Sequence, residues 1–315
     1  MKTAIVTGVA GFIGSHLAER LIKENYKVIG IDCYTDYYSK KIKKNNLKSC
    51  FKSKNFIFLE KDIMNLDLES ILRKTDYLFH EAAQPGVRNS WGDEFKIYVK
   101  NNIMTTQKIL ESAKKVNHLK KIIMASSSSV YGNQKGTMVE DETLPNSISP
   151  YGVTKYAAES LGNTYAKNYN LPVVSLRYFT VYGPRQRPDM AFSRFISAAL
   201  SNKPIIVYGD GNQTRDFTFV SDIIDANMSC IENNIDSDVI NIGGGHIISI
   251  NKVLNLLSKK IDKPINICFM KKQHGDVEHT NADIKKASKL LKYKPQITVK
   301  EGLDYQIAEI RKTIK

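Results

Sequence analysis

The apolar positions of the chain fall into a regular alternation. Thr3-Ala4-Ile5-Val6-Thr7 is a short apolar run, glycines follow at 8, 11 and 14, and Ile13, Leu17, Leu21 and Ile22 then recur at helical spacing. That order predicts a strand, a tight turn and an amphipathic helix. Strand-length runs return at 26–32, 55–60, 77–80, 121–126 and 172–177, with helical periodicity over 101–115 and 151–168. Short apolar strands alternating with amphipathic helices predict an α/β fold, a Rossmann-type doubly wound parallel sheet covered on both faces. After Arg177 the punctuation changes, and Gly183-Pro184, Arg187-Pro188, Lys203-Pro204 and Gly209-Asp210-Gly211 crowd a short span. Val239-Ile240-Asn241-Ile242 has the pattern of one more strand returning to the sheet, so the second lobe is expected to be discontinuous. The expected division is 1–179 plus about 217–243 for the sheet domain, and about 180–216 plus 244–315 for a smaller α/β substrate domain.

Composition narrows the class. The 315 residues are 42% hydrophobic and 25% charged, a globular mixture. No apolar run approaches the roughly 18 residues of a membrane span. Met1-Lys2-Thr3 leads straight into the first strand without an apolar signal region, so a cytoplasmic location is expected, with no membrane partner. Cys33, Cys50, Cys230 and Cys268 are widely spaced and read as free thiols, so no metal is expected. Forty-six basic against thirty-two acidic residues give a net charge of +14. Much of the excess is dispersed lysine, such as Lys40, Lys41, Lys43, Lys44, Lys48, Lys52 and Lys54, with no nucleic-acid-binding signature beside it. A solvated lysine surface is the reading, and no nucleic-acid partner is expected.

Two constellations carry chemistry. In Gly8-Val9-Ala10-Gly11-Phe12-Ile13-Gly14, between a strand and a helix, glycines let the backbone approach a pyrophosphate at the helix N-terminus. Asp32 ends the next strand at the offset where a carboxylate accepts hydrogen bonds from an adenosine ribose, and its charge favours NAD over NADP. Further on, Ser126-Ser127-Ser128-Ser129-Val130-Tyr131 closes a strand, and Pro150-Tyr151-Gly152-Val153-Thr154-Lys155 opens a helix. Tyr151 and Lys155 share a face at i and i+4. A phenol is a poor base at neutral pH, and an adjacent ammonium is the device that favours phenolate.

With these segments, and with His80-Glu81-Ala82-Ala83-Gln84, Arg177-Tyr178-Phe179-Thr180-Val181-Tyr182-Gly183-Pro184 and Thr214-Arg215-Asp216-Phe217, the chain resembles the extended short-chain dehydrogenase/reductase family, and within it the nucleotide-sugar epimerases. The resemblance implies an NAD domain, a smaller C-terminal domain and a UDP-sugar in the cleft between them. By it Ser127 hydrogen-bonds the reacting sugar oxygen, Tyr151 is the general base, and Lys155 tunes that base and holds the nicotinamide ribose. Gly8, Gly11, Phe12, Ile13, Gly14, Asp32, Asp62, Ile63, Ala82, Ala83, Gln84, Asn102 and Tyr178 match cofactor contacts. Arg187, Met190, Phe192, Arg215 and Asp276 match nucleotide contacts, and Ser128, Ser129 and Thr180 the sugar pocket.

Relatives that eliminate water or lose carbon dioxide carry an acid just before the Val-Tyr pair, where this chain has Ser128 and Ser129. Epimerisation at C4 through a 4-keto sugar is therefore expected. Gln84-Pro85-Gly86-Val87-Arg88-Asn89-Ser90-Trp91, with Thr180 where many glucose epimerases carry Asn, resembles UDP-glucuronate 4-epimerases, and Arg88 would then answer the substrate carboxylate. UDP-glucose and UDP-N-acetylglucosamine remain alternative substrates. Arg88 paired to a protein acid, and a non-catalytic NAD-binding or RNA-binding relative, are the competing readings. The two amphipathic helices, with the resemblance, imply a helix-bundle homodimer.

Overall fold

The computed structural model describes residues 1–233 and 235–314. Its centre is a seven-stranded parallel sheet. The strands are β1 (Thr3–Thr7), β2 (Lys27–Asp32), β3 (Phe56–Glu60), β4 (Tyr77–His80), β5 (Lys121–Ser127), β6 (Val173–Tyr178) and an edge strand Asp238–Ile242, and across the sheet they run β3-β2-β1-β4-β5-β6-edge. Ile240 lies beside Leu176 in that last pairing, so the chain does return to the sheet after its excursion. β4 and β6 are buried at every position, as strands covered on both faces must be. One apolar layer joins Leu17, Leu21 and Val28 to Val174 and Ile223, and the other joins Ile5, Leu78, Ile109 and Ile122.

Strand order reverses between β1 and β4, which opens a crevice at their carboxyl ends. Two helices frame it. The first, Phe12–Lys23, starts at Gly11 and ends with Arg20 and Lys23 near its negative dipole end. The second, Pro150–Tyr169, begins with Pro at its first turn, and its start is capped by Ser149, whose hydroxyl accepts from the Gly152 amide at 3.1 Å. Asn170, left-handed at φ 55°, stops it before β6. A third helical stretch runs from Phe95 to Ala113 and contains a wide π turn at Val99–Met104.

Beyond Tyr178, apart from the edge strand Asp238–Ile242, the chain builds two-stranded pairings: Val181–Tyr182 with Thr218–Phe219, Thr214–Asp216 with Ile247–Ser249, and Ile205–Tyr208 with Ile267–Met270. Helices Ala191–Leu200, Ile250–Ile261 and Val299–Ile314 pack over them. No helix among the described residues is long and apolar enough to cross a membrane.

Candidate active site

The glycine turn works through backbone contact. Gly8 sits at φ 64°, and a Cβ on it would lie 2.8 Å from the Ala82 backbone. A Cβ on Gly14 would lie 2.4 Å from the Gly8 carbonyl oxygen. Side chains are therefore excluded where strand, turn and helix converge. Asp32 accepts from the amides of Ala10 at 3.0 Å and Tyr34 at 2.8 Å, and burial pushes its carboxyl above the usual range.

From this turn a cavity of about 230 Å³ runs past Asp32, Asp62 and Ile63 to Glu81, Ala82, Ala83, Tyr151, Lys155 and Tyr178. The buried hydroxyl of Tyr38 on its wall finds no hydrogen-bond partner among the described residues. A narrow channel with a backbone cradle at one end, a carboxylate beyond it and an orphaned hydroxyl suits an extended dinucleotide.

Four sequence-predicted residues sit differently from their expected places. Lys43, read as solvated, is 5% exposed; its ammonium bonds Thr35 and lies 4.6 Å from the Tyr38 ring centre. Asn102, 2% exposed, stands behind the cavity wall: it accepts from the Gln84 amide at 2.6 Å and donates to the Gln84 carbonyl and to Thr154. Gln84 is itself buried there, its backbone held by that amide. Phe192 packs its ring 4.6 Å from that of Phe217 in the core.

The serine segment and the helix that carries Tyr151 meet closely because of Gly152, where a Cβ would lie 2.5 Å from the Ser129 carbonyl oxygen. Ser127 accepts from the Ser129 amide at 3.1 Å. The Tyr151 ring meets the edge of Tyr98, whose hydroxyl donates to the Pro85 and Gly86 carbonyls. Burial pushes the Tyr151 phenol up, while the hydroxyl of Ser127 and the charge of Arg187 pull it down. Lys155 donates to the Ala125 carbonyl, and burial brings its ammonium down to about 8 against the opposing charges of Glu81 and Glu159. Glu159 is itself forked by Arg177 at 2.9 and 2.6 Å and accepts from Ser126. Arg177 also donates to Tyr131, which donates to Asn241 on the edge strand. This buried lattice fixes the helix against β5, β6 and the edge strand.

A second cavity, about 620 Å³, meets the first at Phe12, Tyr151, Tyr178 and Arg187. Ser127, Ser128, Ser129, Thr180, Met190, Arg215 and Asp276 line it. Arg88 lines it too, but donates to Asp276 at 2.7 Å and stacks 4.2 Å from the Tyr208 ring centre. The guanidinium that acts on Tyr151 is that of Arg187, which is forked onto Asp189 at 3.0 and 2.9 Å. Arg215, held by the carbonyls of Thr214 and Val277, lies near enough to Arg88 and Asp276 to feel both charges. No cluster of ligands suited to a metal occurs among the described residues.

Residues 4–243 match the model of the NAD dependent epimerase/dehydratase family. The chain belongs to this family. A UDP-glucuronate 4-epimerase of Thermodesulfobacterium geofontis is 40% identical over 303 residues, covering 95% of this chain and 93% of the relative. A Bacillus subtilis protein described as an uncharacterized UDP-glucose epimerase is 42% identical over 306 residues, covering 96% of each. The crystal structure of UDP-glucuronic acid 4-epimerase from Bacillus cereus, in complex with UDP-glucuronic acid and NAD, superposes with a TM-score of 0.96 at 46% identity, over 99% of this chain and 100% of that one.

The sequence alone left Glu81, Tyr38 and the buried role of Lys43 unread. Glu81 shows in the sequence as a charge directly after the strand Tyr77–His80. The other two depend on the fold of the 33–43 loop and carry no local signal.

Proposed function

We propose that the protein is an NAD-dependent UDP-sugar 4-epimerase whose substrate pair is UDP-glucuronate and UDP-galacturonate. One observation carries the reading: Ser127, Tyr151 and Lys155 converge where the dinucleotide channel meets the larger cavity, with no acid at positions 128 and 129. The narrow channel holds NAD through the Gly8–Gly14 turn and Asp32. The wide cavity takes the UDP-sugar, with Arg215 and Arg88 toward its phosphates. On this reading the sheet domain is 1–179 plus about 217–243, and the UDP-sugar lobe is the remainder.

Tyr151 as phenolate accepts the proton of the sugar C4 hydroxyl, and Ser127 donates to the same oxygen. Bound NAD supplies the acceptor for the C4 hydride and its return to the opposite face. Lys155, as ammonium, offsets the phenolate charge, and the roomy second cavity lets the 4-keto sugar turn over before Tyr151 gives the proton back. With serines at 128 and 129 there is no acid to shuttle the further proton that elimination needs.

A 4-keto uronate is a β-keto acid and loses carbon dioxide once its carboxylate aligns with the carbonyl π system. A guanidinium can fix the carboxylate plane with two hydrogen bonds. The expectation from sequence gave that task to Arg88. We assign it to Arg187 instead, because Arg187 lines both cavities where they meet at Tyr151, whereas Arg88 lines only the second, against Asp276 and Tyr208.

The relatives named for UDP-glucuronate support the uronate, and the Bacillus subtilis relative favours UDP-glucose as the second reading. Separate incubation with UDP-glucuronate, UDP-glucose and UDP-N-acetylglucosamine, followed by product separation, decides. UDP-galacturonate is expected; far faster turnover of UDP-glucose transfers the assignment, and no turnover of any of them ends it. Met104, Val153 and Tyr156 are exposed on the two amphipathic helices, which supports a homodimer through them. Light scattering should give twice the chain mass, and Val153→Glu should halve it.

A further inference from the structure

Lys155 is a cation placed deep in the site, and its natural counter-charge is already engaged. Glu159, one turn along the same helix, is forked by Arg177 and bonded by Ser126, and the side chains of Arg177 and Glu159 are only 5% and 2% exposed. The remaining acid is Glu81. β4 and β5 pair with His80 opposite Met124, so the next positions place Glu81 alongside Ala125, the residue whose carbonyl takes the Lys155 ammonium. Glu81 and Lys155 line the same cavity.

Glu81 is aimed rather than free. Asn227 donates to the Tyr178 hydroxyl at 2.8 Å, which leaves the Tyr178 proton to donate to Glu81 at 2.8 Å. Tyr178 itself is fixed by the sheet, opposite Ser127 on β5. A chain of two hydrogen bonds thus runs from the helix Val220–Glu232 to one carboxylate oxygen, and the other oxygen takes no hydrogen bond among the described residues.

We propose that Glu81 is the counter-charge that keeps Lys155 an ammonium, and so acts on Tyr151 through Lys155 as a positioning residue. This deepens the epimerase reading and rests on it for the roles of Lys155 and Tyr151. The other groups around the pair do not compete for the role. His80 is neutral: Thr7 takes the Ala82 amide proton and donates to Nδ1, which leaves Nε2–H for Thr106, and burial holds the ring down at about 3. Burial keeps the Cys230 and Tyr178 protons on. Arg177 is matched by Glu159, and Arg187 by Asp189.

The signs fit together. Burial pushes the Glu81 carboxyl up to about 7, against Tyr178 and Lys155, so its negative charge is present above that pH. Lys155 keeps its positive charge below about 8. Both charges coexist in the window between, near neutrality. Removing Glu81 leaves a desolvated ammonium without its partner, which releases its proton at lower pH.

The test is Glu81→Gln, which keeps shape and hydrogen bonding to Tyr178, with Glu81→Asp and Tyr178→Phe beside it. Two readouts are taken on the protein as purified: the Lys155 titration by NMR of carbon-13 lysine, assigned against Lys155→Met, and the pH profile of kcat with whichever UDP-sugar the wild type turns over. Expected in Glu81→Gln is a Lys155 midpoint lower by ~0.5 pH unit or more, with the alkaline fall of kcat moved the same way. Glu81→Asp should recover part of the shift, and Tyr178→Phe should move it in the same direction by less. A Glu81→Gln protein that loses activity at every pH while the Lys155 titration stays put overturns the proposal, because Glu81 would then only pack Tyr178. Wild type that turns over no UDP-sugar would sink the epimerase reading, while the NMR titration still decides the charge pairing.

Discussion

The two cavities that meet at Tyr151 are built on opposite principles. The dinucleotide channel is shaped by backbone: glycines at 8 and 14 lie where a Cβ would overlap main-chain atoms, and Asp32 is held by two amides. The sugar cavity is shaped by long side chains from distant segments, Arg88 against Asp276, Arg187 against Asp189 and Arg215 between carbonyls. A backbone cradle suits a ligand that stays through the catalytic cycle. Side-chain pairs that can be exchanged suit one that arrives and leaves each turnover.

The largest expected effect lies where the cavities join. Tyr151→Phe should lower kcat about a hundredfold or more with UDP-sugar affinity retained; single-turnover rates and ligand titration measure both, and near-normal turnover would remove Tyr151 as the base. Gly8→Ala comes next, combining a left-handed backbone with contact against Ala82, and should weaken NAD retention by about thirtyfold or more, roughly 2 kcal/mol. Nucleotide released on denaturation is the assay, and full retention would show the cradle to be yielding.

The two arginines sharpen the contrast at about tenfold. Arg187→Ala should raise KM for UDP-glucuronate and release some UDP-pentose, whereas Arg88→Ala should raise KM for every UDP-sugar alike, since it faces the phosphate end; chromatography of products from both variants separates the roles. The smallest effect is on pH. The ammonium of Lys155 is lost above about 8, so kcat should fall roughly twofold as the pH rises through that value, with KM little changed. A flat profile to pH 10 would detach Lys155 from the tuning of the base.

The same contrast explains what could be read in advance. The strands are short apolar runs, the helices repeat near 3.6, the turn glycines stand three apart and Tyr151 and Lys155 four apart; all are local patterns, so the chain displays them directly. The resemblance puts Asn102 at the cofactor, yet from within the π turn its amide braces Gln84 and Thr154, partners far along the chain that no local pattern announces. Arg88 and Asp276 are 188 positions apart, and no pattern in either neighbourhood announces that they pair. Lys43 looked like six other surface lysines until the fold closed Tyr38 over it.

The wide turn at Val99–Met104 bears on how this segment can change length. The wide winding already takes up about one residue more than an ordinary helix would, so a further residue added there would rotate everything beyond by about 100°. Either Asn102 would leave the backbone of Gln84, or Ile109 and Leu110 would leave the apolar layer under the sheet. Surface loops elsewhere in the molecule can gain or lose residues with little consequence. Between Tyr98 and Thr105 the chain cannot lengthen without breaking one contact or the other, so its length there is as much a part of the site as any side chain.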